Sequence, residues 1–164
     1  MKPALAQVCS LGSSLEQDIE DYAAGQCRAI ELWWGKLDTY LEGHSTDDLL
    51  ALLARHEMTA PVVSFQGGLL TSQGDYRKEH WASFTRRLGI CQQLGVETMV
   101  VAGDIAPPLD QQTFDRIQVS LADAARLAQR NRTEFYRLLQ KHALTPGLFK
   151  SDSPGAASEA VAEE

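Results

Sequence analysis

Short apolar runs alternate with helical patterns along the first two thirds of the chain. The apolar runs predict strands over residues 4–9, 29–33, 61–65 and 98–102. Between the runs, apolar residues recur at helical spacing, as in the stripe of Trp81, Phe84, Leu88, Cys91 and Leu94. Strands that alternate with helices indicate parallel pairing through right-handed crossovers. The pattern therefore predicts an α/β fold built from βα units.

Capping signals predict where the helices begin. Ser13 and Glu16 have the spacing of a capping box at the start of the first helix. Residues 35–44 are predicted to form a loop, and Ser45 or Thr46 is predicted to cap the helix that follows it. Each connection between the predicted strands thus contains one predicted helix.

The pattern changes after the fourth strand. A helix is predicted to start near Asp110, and a fifth strand would be expected around residue 130, but residues 130–144 have a helical pattern instead. A complete (β/α)8 barrel needs about 250 residues, whereas this chain has 164. The predicted fold is therefore a partial TIM-type barrel of about four βα units, followed by a helical segment that resembles a helix-turn-helix.

Charge is distributed unevenly along the chain. The net charge is −7, with −7 on residues 1–118, +4 on residues 119–150 and −4 on residues 151–164. The acidic average argues against nucleic-acid binding by the chain as a whole, but the basic block indicates a separate functional piece. We therefore predict a truncated barrel over 1–118, a basic helical part over 119–150 and a disordered acidic tail over 151–164.

Polar side chains follow the predicted strands at their carboxyl ends, where parallel α/β folds place their active sites. Glu31 and Trp33 end the second strand, Gln66 ends the third, and Asp104 follows the fourth. Carboxylates accept hydrogen bonds from sugar hydroxyls, and an indole can cover the apolar face of a sugar ring. These four residues are predicted to bind substrate, with a loop acid or a packing aromatic as the alternative at each position.

The first two thirds of the chain resemble the xylose isomerase-like TIM barrels, which include sugar phosphate isomerases and epimerases, in the segments AIELWW, VVSFQGGLLTSQGDYRKEHWASFTRRLGICQQLGV and TMVVAGD. The resemblance covers residues 1–118. It implies a divalent metal, Mn²⁺ or Mg²⁺, and proton transfer or a hydride shift between adjacent sugar carbons. The family's metal ligands come mainly from later strands, which the pattern lacks. Catalytic and metal-binding residues are therefore not assigned, and whether the chain is an enzyme stays open.

The basic block has the pattern of two short helices joined by a turn. Ser120 is predicted to cap a helix over residues 121–129, and Thr133 to open a second one. The segment AARLAQRNRTEFYRLLQKHALTP resembles the Fis-type helix-turn-helix of bacterial enhancer-binding response regulators, although Gln129 replaces the usual turn glycine. The resemblance implies DNA binding in the major groove by Asn131, Arg132, Thr133, Tyr136, Arg137 and Lys141. An amphipathic hairpin with a solvated basic face would show the same spacing.

The whole chain is thus interpreted as a truncated isomerase-like layer joined to a DNA-binding segment, with a junction between residues 117 and 124. The alternatives are a metal-dependent sugar isomerase or epimerase that acts as an oligomer, and a non-functional gene-fusion remnant. Candidate partners are a sugar or sugar phosphate, DNA, and a second copy of the chain. A partial barrel exposes two sheet edges, which either a second copy or the chain's own last helices would have to cover. His44, His56 and His80 are expected to be surface groups.

Three widely spaced cysteines are expected to be reduced thiols. The N-terminus lacks the pattern of a signal peptide, and no apolar run approaches the roughly 18 residues of a membrane span. The chain is therefore expected to be cytoplasmic, with no membrane partner.

Overall fold

A computed structural model describes residues 3–104 and 109–128 of the chain. These residues contain a sheet of parallel strands in the order β1-β2-β3-β4. The strands are β1 (Leu5–Ala6), β2 (Ala29–Trp33), β3 (Thr59–Gln66) and β4 (Thr98–Val101). Because each strand pairs with the next one along the chain, the sheet has the strand order of one side of a TIM barrel. The predicted parallel α/β sheet of four strands is confirmed.

A helical segment follows every strand. A 3-10 turn, Gln7–Ser10, comes directly after β1. The α-helices are α1 (Leu15–Ala24), α2 (Trp34–Leu41), α3 (Thr46–Arg55), α4 (Gly74–Leu94) and α5 (Gln111–Leu127). They pack on one face of the sheet, where Leu32 and Val63 are fully buried. None of the helices in the two described ranges combines the length and apolar character that crossing a bilayer requires.

Strand β1 is shorter than the predicted strand over residues 4–9, because the chain turns at Gln7. The Gln7 side chain is fully buried. Its amide nitrogen donates to the Asp18 carboxylate at 2.9 Å, and its oxygen accepts from the backbone N–H of Trp33 at 2.9 Å. These two bonds hold Gln7 in the turn, so the strand ends at Ala6.

Two of the predicted N-caps can be compared with the observed starts of helices α1 and α3. Ser14 is the N-cap of α1, whereas Ser13 donates a hydrogen bond to the Asp18 carboxylate at 2.7 Å. The predicted capping box at Ser13 is therefore wrong by one residue. At α3 the prediction is confirmed, since Ser45 is the N-cap and Asp48 completes a capping box with it.

Residues 35–44 were predicted to be a loop, and this prediction is wrong because most of them form α2. Trp34, Leu37 and Tyr40 recur at three-residue spacing and are 1%, 0% and 7% exposed. Gly35 and Lys36 obscure this pattern in the sequence, because glycine and charged residues are typical of loops. Burial of one face of α2 in the core outweighs that local preference.

Two apolar clusters hold the helices on the sheet. The larger cluster lies between the sheet and helices α1 to α4, and its fully buried members include Ile19, Ile30, Leu32, Leu37 and Leu49. The smaller cluster joins α4 and α5 through Leu69, Leu70, Phe84, Ile117 and Ala124. The predicted stripe on α4 is confirmed in its buried members Phe84, Cys91 and Leu94. Met99 on β4 packs against both clusters and connects them.

Helix α5 runs without a break through position 120. Asp110 caps its start by accepting from the backbone N–H of Thr113 at 2.7 Å. Ser120 is fully buried inside the helix, where its hydroxyl accepts from Arg77 at 3.0 Å and donates to the carbonyl oxygen of Leu70 at 3.4 Å. The prediction that Ser120 caps a separate short helix is therefore wrong.

Most of the predicted helix-turn-helix lies outside the described residues. The same is true of the predicted tail over 151–164 and of the six predicted DNA contacts, Asn131, Arg132, Thr133, Tyr136, Arg137 and Lys141. The division of the chain at residue 118, with a junction between residues 117 and 124, stays a prediction.

Candidate functional site

Strand β2 directs alternate side chains to opposite faces of the sheet. Ile30 and Leu32 are fully buried against the helices, so Glu31 and Trp33 project from the other face. We call that other face the inner face. Strand register and alternation add Ala6, Val62, Ser64, Thr98 and Val100 to it. The inner face thus carries a carboxylate and an indole two positions apart on one strand.

Glu31 has apolar neighbours in the sheet. Its Cα partners are Ala6 on β1 and Val62 on β3, and its side chain is partly exposed. Within residues 3–104 and 109–128, its carboxylate makes no hydrogen bond or ion pair. A carboxylate next to apolar groups gains free energy from a polar partner. Glu31 is therefore available to accept hydrogen bonds from a ligand.

The indole of Trp33 lines a groove at the carboxyl end of β2. The ring packs over Gly35, where an added Cβ atom would come within 2.7 Å of it, so a larger residue there would displace the ring. The groove lies between the start of α1 and the length of α2. It has a volume of about 520 Å³ and is lined by Ser13, Ser14, Leu15, Glu16, Trp33, Gly35, Lys36, Thr39, Tyr40, Gly43 and His44.

A buried ion pair lies beside the groove. Lys36 Nζ donates to Asp18 Oδ2 at 2.5 Å and to the carbonyl oxygen of Ser10 at 2.6 Å. The Lys36 and Asp18 side chains are only 7% and 1% exposed. Burial alone would raise the pKa of the Asp18 carboxyl, but hydrogen bonds from Lys36 and neighbouring side chains outweigh it and lower that pKa. Asp18 is therefore ionised at neutral pH and neutralises the charge of Lys36.

Two aromatic rings line the groove at the end of α2. His44 stacks on Tyr40 with 4.3 Å between the ring centroids. Burial raises the pKa of the Tyr40 hydroxyl, so this group stays protonated at neutral pH and can donate a hydrogen bond. Ser14 and Thr39 add hydroxyl groups to the lining. The groove therefore presents neutral hydroxyl groups beside aromatic surface, in addition to the Glu16 carboxylate.

Gln66 lies on the helix side of the sheet, away from Glu31. The strand alternation is interrupted just before it, at Phe65, whose φ of +74° accompanies a register shift between β3 and β4. Gln66 is buried, and its Oε1 accepts from Arg87 on α4 at 3.0 Å. The structure does not bring Gln66 together with Glu31 and Trp33, and its role as a substrate contact stays a prediction.

Asp104 follows β4, where it holds the loop that leaves β3. Its carboxylate accepts from the backbone N–H groups of Leu70 and Thr71 at 3.4 Å and from the Thr71 hydroxyl at 3.1 Å. The Thr71 hydroxyl also donates to the Asp104 carbonyl oxygen at 2.7 Å. Asp104 thus positions residues 67–73, and its predicted contact with substrate remains untested.

A sequence model of the xylose isomerase-like TIM barrel matches residues 20–137. The chain belongs to this family. The match contains β2, β3, β4 and the helices between them, so the parallel sheet is part of the family's barrel. It confirms the resemblance of the first part of the sequence, and it extends past residue 118 into the basic block.

Solved structures share the arrangement of this xylose isomerase-like chain. The IolI protein with a binding zinc atom has a TM-score of 0.66 at 21% identity, over 78% of this chain and 49% of that one. D-Psicose 3-epimerase with D-tagatose, from Clostridium cellulolyticum H10, has a TM-score of 0.62 at 20% identity, over 79% and 49%. The probable 3-DHS dehydratase AsbF of Bacillus anthracis has a TM-score of 0.61 at 15% identity, over 79% and 48%.

The chain spans about half the length of these solved structures. At identities this low, the likeness establishes the xylose isomerase-like fold and not an activity. No curated protein matches the sequence significantly.

The xylose isomerase-like fold implies a divalent metal, but the described residues do not form a site for one. Metal ions in proteins need several oxygen or nitrogen ligands that converge. Within residues 3–104 and 109–128, no three His, Cys, Asp or Glu side chains lie close enough to share an ion. His44 stacks on Tyr40, and His80 Nδ1 lies 3.2 Å from the carbonyl oxygen of Gly68. No metal-dependent step follows from these residues.

The sequence pattern does not single out Lys36 and Tyr40, because the segment around them resembles a loop. The spacing of Trp34, Leu37 and Tyr40 is the signal that identifies a helix here. A helix at this point brings Lys36 and Tyr40 to the groove that Trp33 lines.

Proposed function

We propose that the chain binds a neutral sugar at the carboxyl ends of its strands, with Glu31 and Trp33 as the main contacts. The observation that carries this proposal is the Glu31 carboxylate, which stands on the inner face between Ala6 and Val62 without a partner among the described residues. Trp33 lies two positions later on β2, and its indole lines the groove at the carboxyl end of the strand. A carboxylate accepts from sugar hydroxyls while an indole covers the C–H face of the ring, so the pair suits a polyhydroxy ligand.

Charges around the groove favour an uncharged sugar over a sugar phosphate. Asp18 neutralises the ammonium group of Lys36, and Glu16 adds a carboxylate to the groove lining. A phosphate group in the groove would meet the Glu16 carboxylate without an uncompensated cation among the described lining residues. Neutral hydroxyls avoid this repulsion and can use the Tyr40 hydroxyl as a donor.

A ketose is the first ligand class to test. The epimerase with the same fold was solved with D-tagatose, and this likeness supports the choice of ligand. Sugar isomerisation or epimerisation with a divalent metal is not part of the proposal for the described residues, because they form no cluster of metal ligands. The proposal is therefore one of binding.

Calorimetric titration with a panel of ketoses and aldoses tests the proposal, and the corresponding sugar phosphates serve as the charged comparison. We expect saturable binding that Glu31→Gln weakens about tenfold, because hydrogen bonds to a charged acceptor contribute roughly 1.4 kcal/mol more than those to the neutral amide oxygen. Glu20→Gln is the matched control, since Glu20 is exposed on α1, and it should keep the wild-type affinity. No saturable binding across the panel, or tighter binding of the phosphates, would contradict the proposal.

DNA binding by the basic block is a second candidate function. It is supported by the +4 charge of residues 119–150 within an acidic chain and by the helix-turn-helix pattern of that segment. A gel-shift titration should show an affinity that falls steeply with salt, because phosphate contacts release counterions. Arg132→Ala should weaken binding, whereas Arg28→Ala, an exposed arginine paired with Glu57, should not. Absence of binding at low salt would reject this function.

A further inference from the structure

Strand β3 departs from regular alternation near its carboxyl end. Its register with β4 shifts between Val63 and Gln66, because one extra residue is inserted in β3 as a β-bulge. Val63 is fully buried on the helix side, and regular alternation would put Phe65 on that side as well. Instead Phe65 is 61% exposed, and Gln66 is buried on the helix side. The bulge therefore exchanges the faces to which Phe65 and Gln66 project.

The backbone conformation of Phe65 is unfavourable for a residue with a side chain. Its φ of +74° lies in the left-handed region. Within residues 3–104 and 109–128, the other non-glycine residues with positive φ are Gln26 and Glu57, which directly follow helix C-caps, where this conformation is common. Phe65 lies inside a strand. Such a conformation persists only where the surrounding contacts determine it.

Arg87 on α4 supplies contacts of this kind through Gln66. Its Nη1 donates to Gln66 Oε1 at 3.0 Å, and its Nη2 donates to Asp38 Oδ2 at 2.5 Å. Arg87 Cζ also lies 4.6 Å from the ring centroid of Trp34. The amide nitrogen of Gln66 donates to the carbonyl oxygen of Gly67 at 2.8 Å. One guanidinium group thus joins the end of β3 to helix α2.

We propose that Arg87 is a positioning residue that keeps Gln66 on the helix side of the sheet and thereby turns Phe65 out of the core. The Arg87 side chain is only 15% exposed, and a guanidinium is buried only where acceptors compensate its lost hydration. A return of β3 to regular alternation would remove the Gln66 oxygen from Arg87 and leave Asp38 as its acceptor. The loss of this bond opposes relaxation of the Phe65 backbone.

The shape of the guanidinium group matters as well as its charge. Arg87 reaches Gln66 and Asp38 with two different nitrogens while its plane lies over Trp34. A planar fork can do this, whereas the ammonium group of a lysine is a single point. Arg87→Lys therefore keeps the charge and loses the arrangement.

The end of β3 that Arg87 positions borders the proposed sugar site. Trp33 on β2 pairs with Ser64, the residue directly before Phe65. This end of the sheet therefore presents a phenyl ring, and not the Gln66 amide, close to Trp33. An aromatic ring can cover the C–H face of a sugar. This consequence rests on the proposed sugar binding, whereas the role of Arg87 rests on the hydrogen bonds and the backbone of β3.

Hydrogen exchange of the full chain tests the role of Arg87 without a ligand. The Ala102 amide donates to the Gln66 carbonyl oxygen at 2.8 Å and reports on the bulge, whereas the Thr59 amide donates to the Arg28 carbonyl oxygen at 3.0 Å and reports on the start of β3. Arg87→Lys should speed exchange at Ala102 about tenfold, because a hydrogen bond to a charged group contributes about that factor to a local equilibrium. Exchange at Thr59 should not change.

Three further variants separate the arrangement from the charge. Arg86→Lys is the matched control, because Arg86 is 62% exposed and contacts the same Asp38 carboxylate from the surface, and it should exchange like wild type. Gln66→Met removes the acceptor while Arg87 stays, so it should behave like Arg87→Lys. Gln66→Glu keeps an acceptor for Arg87 and should retain the wild-type protection of the bulge.

Alkylation measures the face to which position 65 projects. Phe65→Cys should react rapidly with iodoacetamide, and mass spectrometry of the peptides identifies the modified position. Adding Arg87→Lys should slow this reaction, because position 65 then turns toward the core. Cys9 is exposed and serves as the internal reference, since its reaction should be the same in both chains.

Unchanged exchange at Ala102 in Arg87→Lys and in Gln66→Met overturns the proposal. Equal acceleration at Ala102 and Thr59 also overturns it, because it shows a general loss of stability. So does alkylation of Phe65→Cys that Arg87→Lys does not slow. In the ketose titration, Arg87→Lys should weaken binding along with its faster exchange at Ala102. Faster exchange at Ala102 in a chain whose wild type binds no sugar rejects only the proposed function.

Discussion

Asp18 and Lys36 form the most deeply buried ion pair in the part of the chain that the structure describes. Two charges leave water only where good geometry and further hydrogen bonds compensate the loss of hydration. Asp18 receives such bonds from Gln7 and Ser13 in addition to Lys36. The pair therefore ties together the turn after β1, helix α1 and helix α2 beside the groove.

Lys36→Met should lower the free energy of unfolding by about 3 kcal/mol, because it leaves the Asp18 carboxylate buried without its cation. Lys78→Met is the matched control, since the Lys78–Asp75 pair is 81% and 88% exposed and such pairs contribute little. Urea denaturation measures both. The double variant Asp18→Asn with Lys36→Met should recover part of the loss, and a Lys36→Met chain as stable as wild type would contradict this account.

The lowered pKa of Asp18 predicts how stability depends on pH. The folded state holds this carboxyl ionised more strongly than the unfolded chain does, so the contribution is fully present above the ordinary pKa of about 4. It is lost as the pH falls from there through the lower folded value. Thermal melts between pH 7 and pH 2 should show a shallower acid decline for Asp18→Asn than for wild type. Equal slopes would show that Asp18 does not contribute.

Single site residues were predictable only where the strand alternation is regular. Glu31 and Trp33 lie at the end of a short, regular strand, so two-residue alternation places them correctly on one face. Gln66 comes after the positive-φ residue Phe65. That bulge turns Gln66 to the helix side. Phenylalanine is not a residue that is typical of bulges, so the sequence does not indicate one here. Lys36 was missed because its partner, Asp18, is distant in sequence.

At the scale of elements, the sequence pattern predicted helices and strands best where the local conformational preference agrees with the packing of the segment in the core. β2 was predicted with its observed bounds, Ala29–Trp33, because its apolar side chains also fill the core. Helix α2 was missed because Gly35 and Lys36 favour a loop locally, and only burial of Trp34 and Leu37 makes the helix stable. The secondary structure of such a segment depends on its packing against the rest of the protein, which the local sequence does not show.

The loop between β3 and α4 contains a glycine in a backbone conformation that other residues rarely adopt. Gly68 has a φ of +78°, and a Cβ there would lie 2.0 Å from Nδ1 of His80. Gly68→Ala should therefore lower stability by about 2 kcal/mol through backbone strain and displacement of the ring. Gly67→Ala is the control, because a Cβ at that position meets no atom within 4 Å. Equal unfolding midpoints for the two variants would contradict the steric argument.

At the scale of the whole molecule, the two apolar clusters should behave as one cooperative unit. Met99 packs against both, and helix α5 is bonded to the loop after β3 through Ser120. The larger cluster contains Trp34, whereas Trp81 packs against the smaller one. Each cluster thus has one tryptophan that can report on its unfolding.

Unfolding monitored at each of these tryptophans should give coincident transitions. Phe replacements at Trp33 and Trp81 leave Trp34 as the sole fluorophore, and replacements at Trp33 and Trp34 leave Trp81. In each variant the fluorescence midpoint in urea should equal the midpoint from circular dichroism. A fluorescence transition that precedes the dichroism transition in either variant would show that the clusters unfold separately.

The junction of β2 and α2 has no connecting residue, since Trp33 ends the strand and is also the N-cap of the helix. An α-helix turns about 100° per residue, so one inserted residue would rotate Lys36 away from Asp18 and Leu37 out of the core. Insertions and deletions should therefore be excluded between Trp33 and Trp34. New specificity at this end of the sheet would therefore evolve by substitution of the side chains around the junction, with the length of the connection unchanged.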